Sequence, residues 1–150
     1  MKLQKIGAVA MLVAMFTTQV RAEDTMEQTA ILETISAMTT AFAAGNIDEI
    51  MTTYEPGAVV VAQPGQPVSG DANLRAMFAE FIASGINFTY GAHEVVVAGD
   101  MGLHLMSWTA PGPDGPMTAL SVAVLHRQTD GSWKMVIDHP FGDGVMQQER

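Results

Sequence analysis

The chain has 150 residues, no cysteine and a formal net charge of −9, with 16 acidic side chains against 7 basic ones. Its length suits one domain. The lack of cysteine excludes disulfides, thiolate metal sites and cysteine nucleophiles, and the acidic balance argues against nucleic acid or an anionic membrane as partner.

In chain order, Lys2 and Lys5 precede an uncharged apolar run, Ile6–Phe16. Val20-Arg21-Ala22 then sets small residues around a cleavage point after Ala22. This is the pattern of a secretory signal peptide over residues 1–22, removed on export. The apolar run is about half the ~20 residues a membrane span needs. Export implies a periplasmic or secreted protein with no membrane attachment after cleavage. The remaining chain keeps only Arg75, Arg127, Lys134 and Arg150 against all 16 acids, a formal charge of −12. Nine of the 12 methionines follow Ala22. Methionine is an adaptable core filler that tolerates varied apolar ligands.

From Met26 the residues Ile31, Ile35, Met38, Ala41 and Phe42 recur at three- and four-residue steps, which predicts an amphipathic helix ended by Gly45. Asn46 caps a short second helix from Ile47 to about Thr53, with Asp48 and Glu49 in its first turn. Ala58–Ala62 is a β-branched run, expected as a buried strand, and Pro64, Gly65 and Pro67 break it. A third helix runs from Gly70-Asp71 through Ala83 with Leu74, Met77, Phe78, Phe81 and Ile82 on its apolar face. Ile86–Asp100 is one strand or two, bent at Gly91; Met101–Ala110 is the next; Pro111–Pro116 is a loop by composition. Met117–Asp143 reads as two strands joined at Asp130-Gly131, and Phe141–Arg150 as a loosely held tail. This order predicts an α+β domain: a curved antiparallel sheet with helices packed on one face.

The stretches AAGNIDEIMTTYEPGAVVV…VSGDANLRAMFAEF, VVVAGDMGLHLMSWTAPGPDG and VLHRQTDGSWKMVIDHPFGD resemble, together and in order, the SnoaL-like, ketosteroid-isomerase-like branch of the nuclear transport factor 2-like superfamily. The resemblance implies a SnoaL-like domain over 23–143, with a tail at 144–150. It implies a cone-like half-barrel with three helices on its concave face, an apolar pocket between sheet and helices, and frequent homodimers. It does not imply one activity. The isomerase residues are missing: the general-base aspartate aligns with Ala62 or Gln63, the first-helix tyrosine falls near Met38, and the acidic oxyanion partner falls within Ser121–Val124.

A two-residue Asp130-Gly131 turn would pair Gln128 with Trp133, His126 with Met135, Val124 with Ile137 and Val122 with His139. One face would then carry Leu120, Val122, Val124, His126, Trp133, Met135, Ile137 and His139, and is expected to line the pocket. The other carries Ser121, Ala123, Leu125, Arg127, Lys134, Val136 and Asp138. In a Thr109–Thr118 register, His104, Met106 and Trp108 join that second, outer face, which is expected to form the dimer; the alternative is a Trp108 turned into the core. His126 and His139 are the expected polar ligand contacts, or one or the other is the acid/base group if the protein is an enzyme; the alternative is that they bond to backbone or sit at the rim. Tyr54, Phe78, Trp133 and Met135 complete the expected ligand-binding wall. No metal or cofactor is expected, because no three ligands converge and no phosphate loop is present. The expected function is binding of a small, mostly apolar molecule. The alternative is an acid/base cyclase, isomerase or dehydratase acting on a hydrophobic carbonyl compound.

Overall fold

The computed structural model describes residues 17–146, with side chains from residue 26. The apolar run of the expected signal peptide and residues 147–150 of the expected tail lie outside the described residues. Two helices, α1 (Thr17–Ala43) and α2 (Ile47–Thr52), lead into the hairpin β1 (Tyr54–Gln63) and β2 (Gln66–Ser69), then α3 (Asp71–Ala83). Four strands follow: β3 (Thr89–Ala98), β4 (Met101–Gly112), β5 (Gly115–Arg127) and β6 (Trp133–His139). The expected cleavage point after Ala22 falls within α1. Among the described residues no helix is long and apolar enough to cross a membrane.

The strands form one curved, unclosed sheet in the order β2-β1-β6-β5-β4-β3. Every neighbouring pair is antiparallel except β1 and β6, which run parallel where the first strand meets the last. The three helices cover the concave face, giving the α+β cone expected. Ile31 and Ile35 of α1, Leu74 and Phe78 of α3, and Ala123, Leu125, Trp133 and Met135 of the sheet share one buried cluster. Polar clamps fix α1 to the sheet: Gln28 Nε2 donates to the Val95 carbonyl at 3.1 Å and Thr34 Oγ1 to the Trp133 carbonyl at 3.1 Å. Glu27 accepts from Trp133 Nε1 at 2.7 Å and from Arg127 at 2.8 Å.

A segment expected as a break and one expected as a loop are both tight hairpins. Pro64-Gly65 turns β1 into β2, with Gln63 opposite Gln66. Pro67 is tolerated because β2 is an edge strand that can spare an N–H. Pro111–Pro116 is paired throughout, Gly112 opposite Gly115, leaving two turn residues. The segment after β6 is anchored: Trp108 Nε1 donates to the Pro140 carbonyl at 2.6 Å, Trp108 packs edge-on against Phe141, and the Leu120 N–H donates to Asp143 at 3.0 Å. Only beyond that, at Val145 and Met146, are the side chains exposed.

The register of β6 decides the site. Val124 pairs with Ile137 and Val122 with His139, as expected, but the expected Gln128–Trp133 and His126–Met135 pairs do not form: Trp133 stands opposite Arg127 and His126 opposite Lys134. Between Val124 and Leu125 the register shifts, so that Leu125 pairs with Met135 and Arg127 with Trp133. A β-bulge at Val136 accounts for this: one extra residue changes the strand's phase. The turn is also longer than two residues, because the Asp130 side chain accepts from both the N–H and hydroxyl of Ser132 and draws in five residues between Arg127 and Trp133.

At Gly102 in β4 an added Cβ would overlap Ile31 Cδ1 and press on Trp133, and no positive φ is involved. Gly102→Ala is therefore expected to cost about 1–3 kcal/mol through overpacking. Urea melts of Gly102→Ala with and without Ile31→Val should show partial recovery in the double variant; full additivity would place the strain elsewhere.

Candidate functional site

The concave face encloses a chamber of about 80 Å³ between sheet and helices. Its walls are almost wholly apolar: Met38 and Phe42 from α1, Met77, Phe78 and Phe81 from α3, Val60 and Ala62 from β1, Phe88, Tyr90, Met106 and Trp108 from the far side. Ser121 and Asp138 add the polar groups. Through Ala62, Met77 and Phe81 the chamber adjoins a groove of about 760 Å³ between the β1–β2 hairpin and α3, lined by more polar residues including Gln63, Gln66, Asn73 and Glu80.

Asp138 is the charged group of the chamber. It is 6% exposed, and Oδ2 accepts from the Tyr54 hydroxyl at 2.6 Å. Among the described residues no basic side chain pairs with it, and none lines the chamber. Burial pushes its carboxyl up to about 6, and the Tyr54 hydrogen bond only partly opposes that. Burial, with the nearby Asp138 charge, raises the Tyr54 phenol well above its ordinary value and that of Tyr90 more moderately.

The expected face assignment is inverted for β5 and split for β6. Ala119, Ser121, Ala123 and Leu125 are buried toward the helices, whereas Leu120, Val122, Val124 and His126 face outward. The Thr109–Thr118 register holds, and it carries His104, Met106 and Trp108 inward rather than outward. The bulge lets Trp133 and Met135 share the inner face while Ile137 and His139 leave it and Asp138 enters. Bulk misled the assignment, since the large aromatic Trp108 and the buried Leu125 outweigh the row of valines.

Of the expected binding wall, Phe78 lines the chamber. Tyr54 reaches it only through its bond to Asp138. Trp133 and Met135 are buried in the core beneath α1 and do not line it. His126 is half-buried on the opposite side of the sheet, with Nδ1 3.2 Å from Glu55 and Nε2 3.6 Å from Asp100. His139 pairs with Val122 on that same side. The two histidines therefore do not meet in the chamber. Asp138, expected outside, is the residue that does. Of the residues aligned with isomerase groups, Met38, Ala62 and Ser121 line this chamber, Gln63 lines the adjoining groove, and Val122 and Val124 face the other side of the sheet. Among the described residues no group of three or more histidine or carboxylate side chains could hold a metal ion.

A second buried titratable group lies outside the chamber. His104 is fully buried, neither ring nitrogen has a hydrogen-bond partner among the described residues, and its ring is 5.8 Å from that of His93. Burial, with His93 nearby, lowers its pKa to about 4.

A family model described as a SnoaL-like domain matches residues 35–136. A comparison with curated proteins gives no match. Among solved structures, an NTF2-like protein of unknown function from Pseudomonas putida KT2440 is 19% identical, with 77% of this chain and 85% of that one covered and a TM-score of 0.67. A ketosteroid isomerase-like protein from Erwinia carotovora atroseptica is 20% identical, covering 75% and 93%, with a TM-score of 0.59. A protein named as a candidate scytalone dehydratase from Novosphingobium aromaticivorans is 15% identical, covering 79% and 85%, with a TM-score of 0.67. At these identities the likeness is one of fold.

Asp138 and His104 oppose each other in acid. The folded state keeps the Asp138 proton up to about pH 6, above the ordinary value of 3.8, so its contribution is full in acid and lost as pH rises through 6. The folded state refuses the His104 proton down to about pH 4, below the ordinary 6.5, so its contribution is full above 6.5 and lost as pH falls through 4. Each is worth about 3 kcal/mol over its range. Denaturant melts between pH 4 and 6 should thus show Asp138→Asn losing stability in acid faster than the parent chain, and His104→Leu gaining it relative to the parent. Parallel curves for all three chains would refute both placements.

Proposed function

The chain belongs to the SnoaL-like domain family, and from that premise we propose that it binds a small, mostly apolar molecule with one end in the inner chamber and the remainder in the adjoining groove. The observation that carries this reading is the chamber itself: a mostly apolar wall converging on one buried carboxyl, the usual build of a small-molecule site. At about 80 Å³ the inner chamber is smaller than typical ligand pockets of roughly 300–1,000 Å³. It suits a head of a few heavy atoms, and the groove supplies room for more. We further propose that the protein acts after export, consistent with the Lys2–Ala22 pattern, which N-terminal sequencing of the secreted product would check by a start at Glu23.

The neutral alcohol 3,3-dimethylbutan-1-ol is a suitable probe of the chamber. Its addition should shift the methyl resonances of Met38 and Met106 and the indole N–H of Trp108. Ala62→Phe, at the passage between chamber and groove, should weaken binding at least about tenfold, or ~1.4 kcal/mol. Shifts scattered over the surface, or an affinity indifferent to Ala62→Phe, would sink the reading.

The outer sheet face belongs to the same proposal. It exposes Val96, Leu120 and Ile137 beside the half-buried Leu103, Leu105, Val122 and Val124. An apolar face of this extent marks an interaction surface, and we assign it to a second copy of the chain. The face is the one opposite to that expected from the sequence, because the whole β4–β5 pattern is reversed. Light scattering at micromolar concentration should give a dimer that Ile137→Glu splits into folded monomers. A monomeric parent chain would disprove the assignment.

A further inference from the structure

Resting on the binding reading above, we propose that the group held in the inner chamber is the alkylated ammonium head of an organic cation. Six aromatic rings line the chamber: Phe42, Phe78, Phe81, Phe88, Tyr90 and Trp108. Aromatic rings attract cations through their quadrupole, and the attraction grows when water is excluded. The one carboxyl among them is Asp138, buried, bonded to Tyr54 through Oδ2 and without a basic partner among the described residues. A buried carboxylate without a counter-ion is costly, and a bound cation removes that cost.

The chamber also selects the kind of cation. A metal ion such as calcium demands six or more oxygen ligands, and the walls offer few. A primary ammonium brings three N–H donors that need acceptors, whereas Asp138 and Ser121 are the main polar groups here. A quaternary ammonium has no donor to satisfy, presents methyl groups to the rings, and meets one carboxylate. A neutral apolar head would leave the carboxyl unmatched. An anion would meet Asp138 directly and would approach against a net charge of −9.

The titratable groups facing Asp138 are Tyr54 from β1 and Tyr90 from β3, phenols that are neutral near pH 7 and whose values are raised further by burial and the Asp138 charge. Ionisation of Asp138 therefore governs cation binding on the acid side. Its carboxyl sits at about 6, so affinity for a cation should fall as pH drops below that point.

The test compares choline with its neutral isostere, 3,3-dimethylbutan-1-ol, by calorimetry on the full chain. At neutral pH choline should bind about tenfold tighter or more, lose that advantage near pH 5, and lose it in Asp138→Asn at every pH. The alcohol should show no such pH dependence. Phe81→Leu, which removes a ring and keeps the carboxyl, should weaken choline more than the alcohol, and it serves where Asp138→Asn fails to fold. An alcohol that binds as tightly as choline overturns the cation proposal and leaves the binding reading standing. Failure of both probes to perturb the chamber residues overturns both.

Discussion

The single extra residue in β6 is the constraint on which the site depends. Without a bulge, alternation would put Trp133, Met135, Ile137 and His139 on one face and Asp138 on the other. With it, Trp133 and Met135 close the core beneath α1, and Asp138 turns inward two residues after the bulge. A strand of seven residues thus supplies both the floor of the core and the charged group of the chamber. The parallel pairing with β1 completes the arrangement: Val60 stands opposite Asp138, and Tyr54, further back on β1, sends its hydroxyl to the same carboxyl.

That pair is poorly suited to stability for its own sake. A carboxyl within an apolar wall loses its hydration, and one phenol hydrogen bond returns only part of it, as the rise to about 6 records. His104 is a second buried group kept from its usual charge, and the two shifts are of opposite sign. Each shift costs the fold free energy in one protonation state. A buried group with a shifted pKa is a candidate for function when it also faces a cavity. Asp138 faces a chamber where a ligand can meet it. His104 does not line that chamber, and its burial has no matching functional account.

Much of the fold was legible. The helices were readable from apolar spacing and from Asn46 and Gly45, and the Thr109–Thr118 register was as expected. The Val122–His139 pairing came out as expected only because the bulge at Val136 offsets a turn longer than the two residues assumed. The edge strand β2 was not, since Pro64 and Pro67 read as breakers unless the strand's edge position is known. The face was not legible either, because an antiparallel sheet with valines on one side and Trp108, Met106 and Leu125 on the other is apolar on both. Trp108 was the available signal: a tryptophan with a long apolar strand around it belongs inside, and fixing it there reverses every residue of β4 and β5 at once. Even that would have left Asp138 undecided, because a bulge has no dependable sequence sign.

The inward turn of Asp138 also changes what the missing isomerase residues mean. Met38, Ala62 and Ser121, at or beside the aligned positions, line the same chamber as Asp138. Two of the three positions carry apolar side chains, and the carboxyl that the chamber does hold stands on a different strand, bonded to a phenol from β1. The chamber thus holds one acid among walls that are otherwise hydrocarbon, with a hydroxyl at Ser121. Moving a proton between two carbons needs a base and a second group to hold the charge that develops. Holding a head group needs only complementary shape and one matched charge. The residues around Asp138 meet the second requirement more fully than the first, and the proposal of binding rests on that difference.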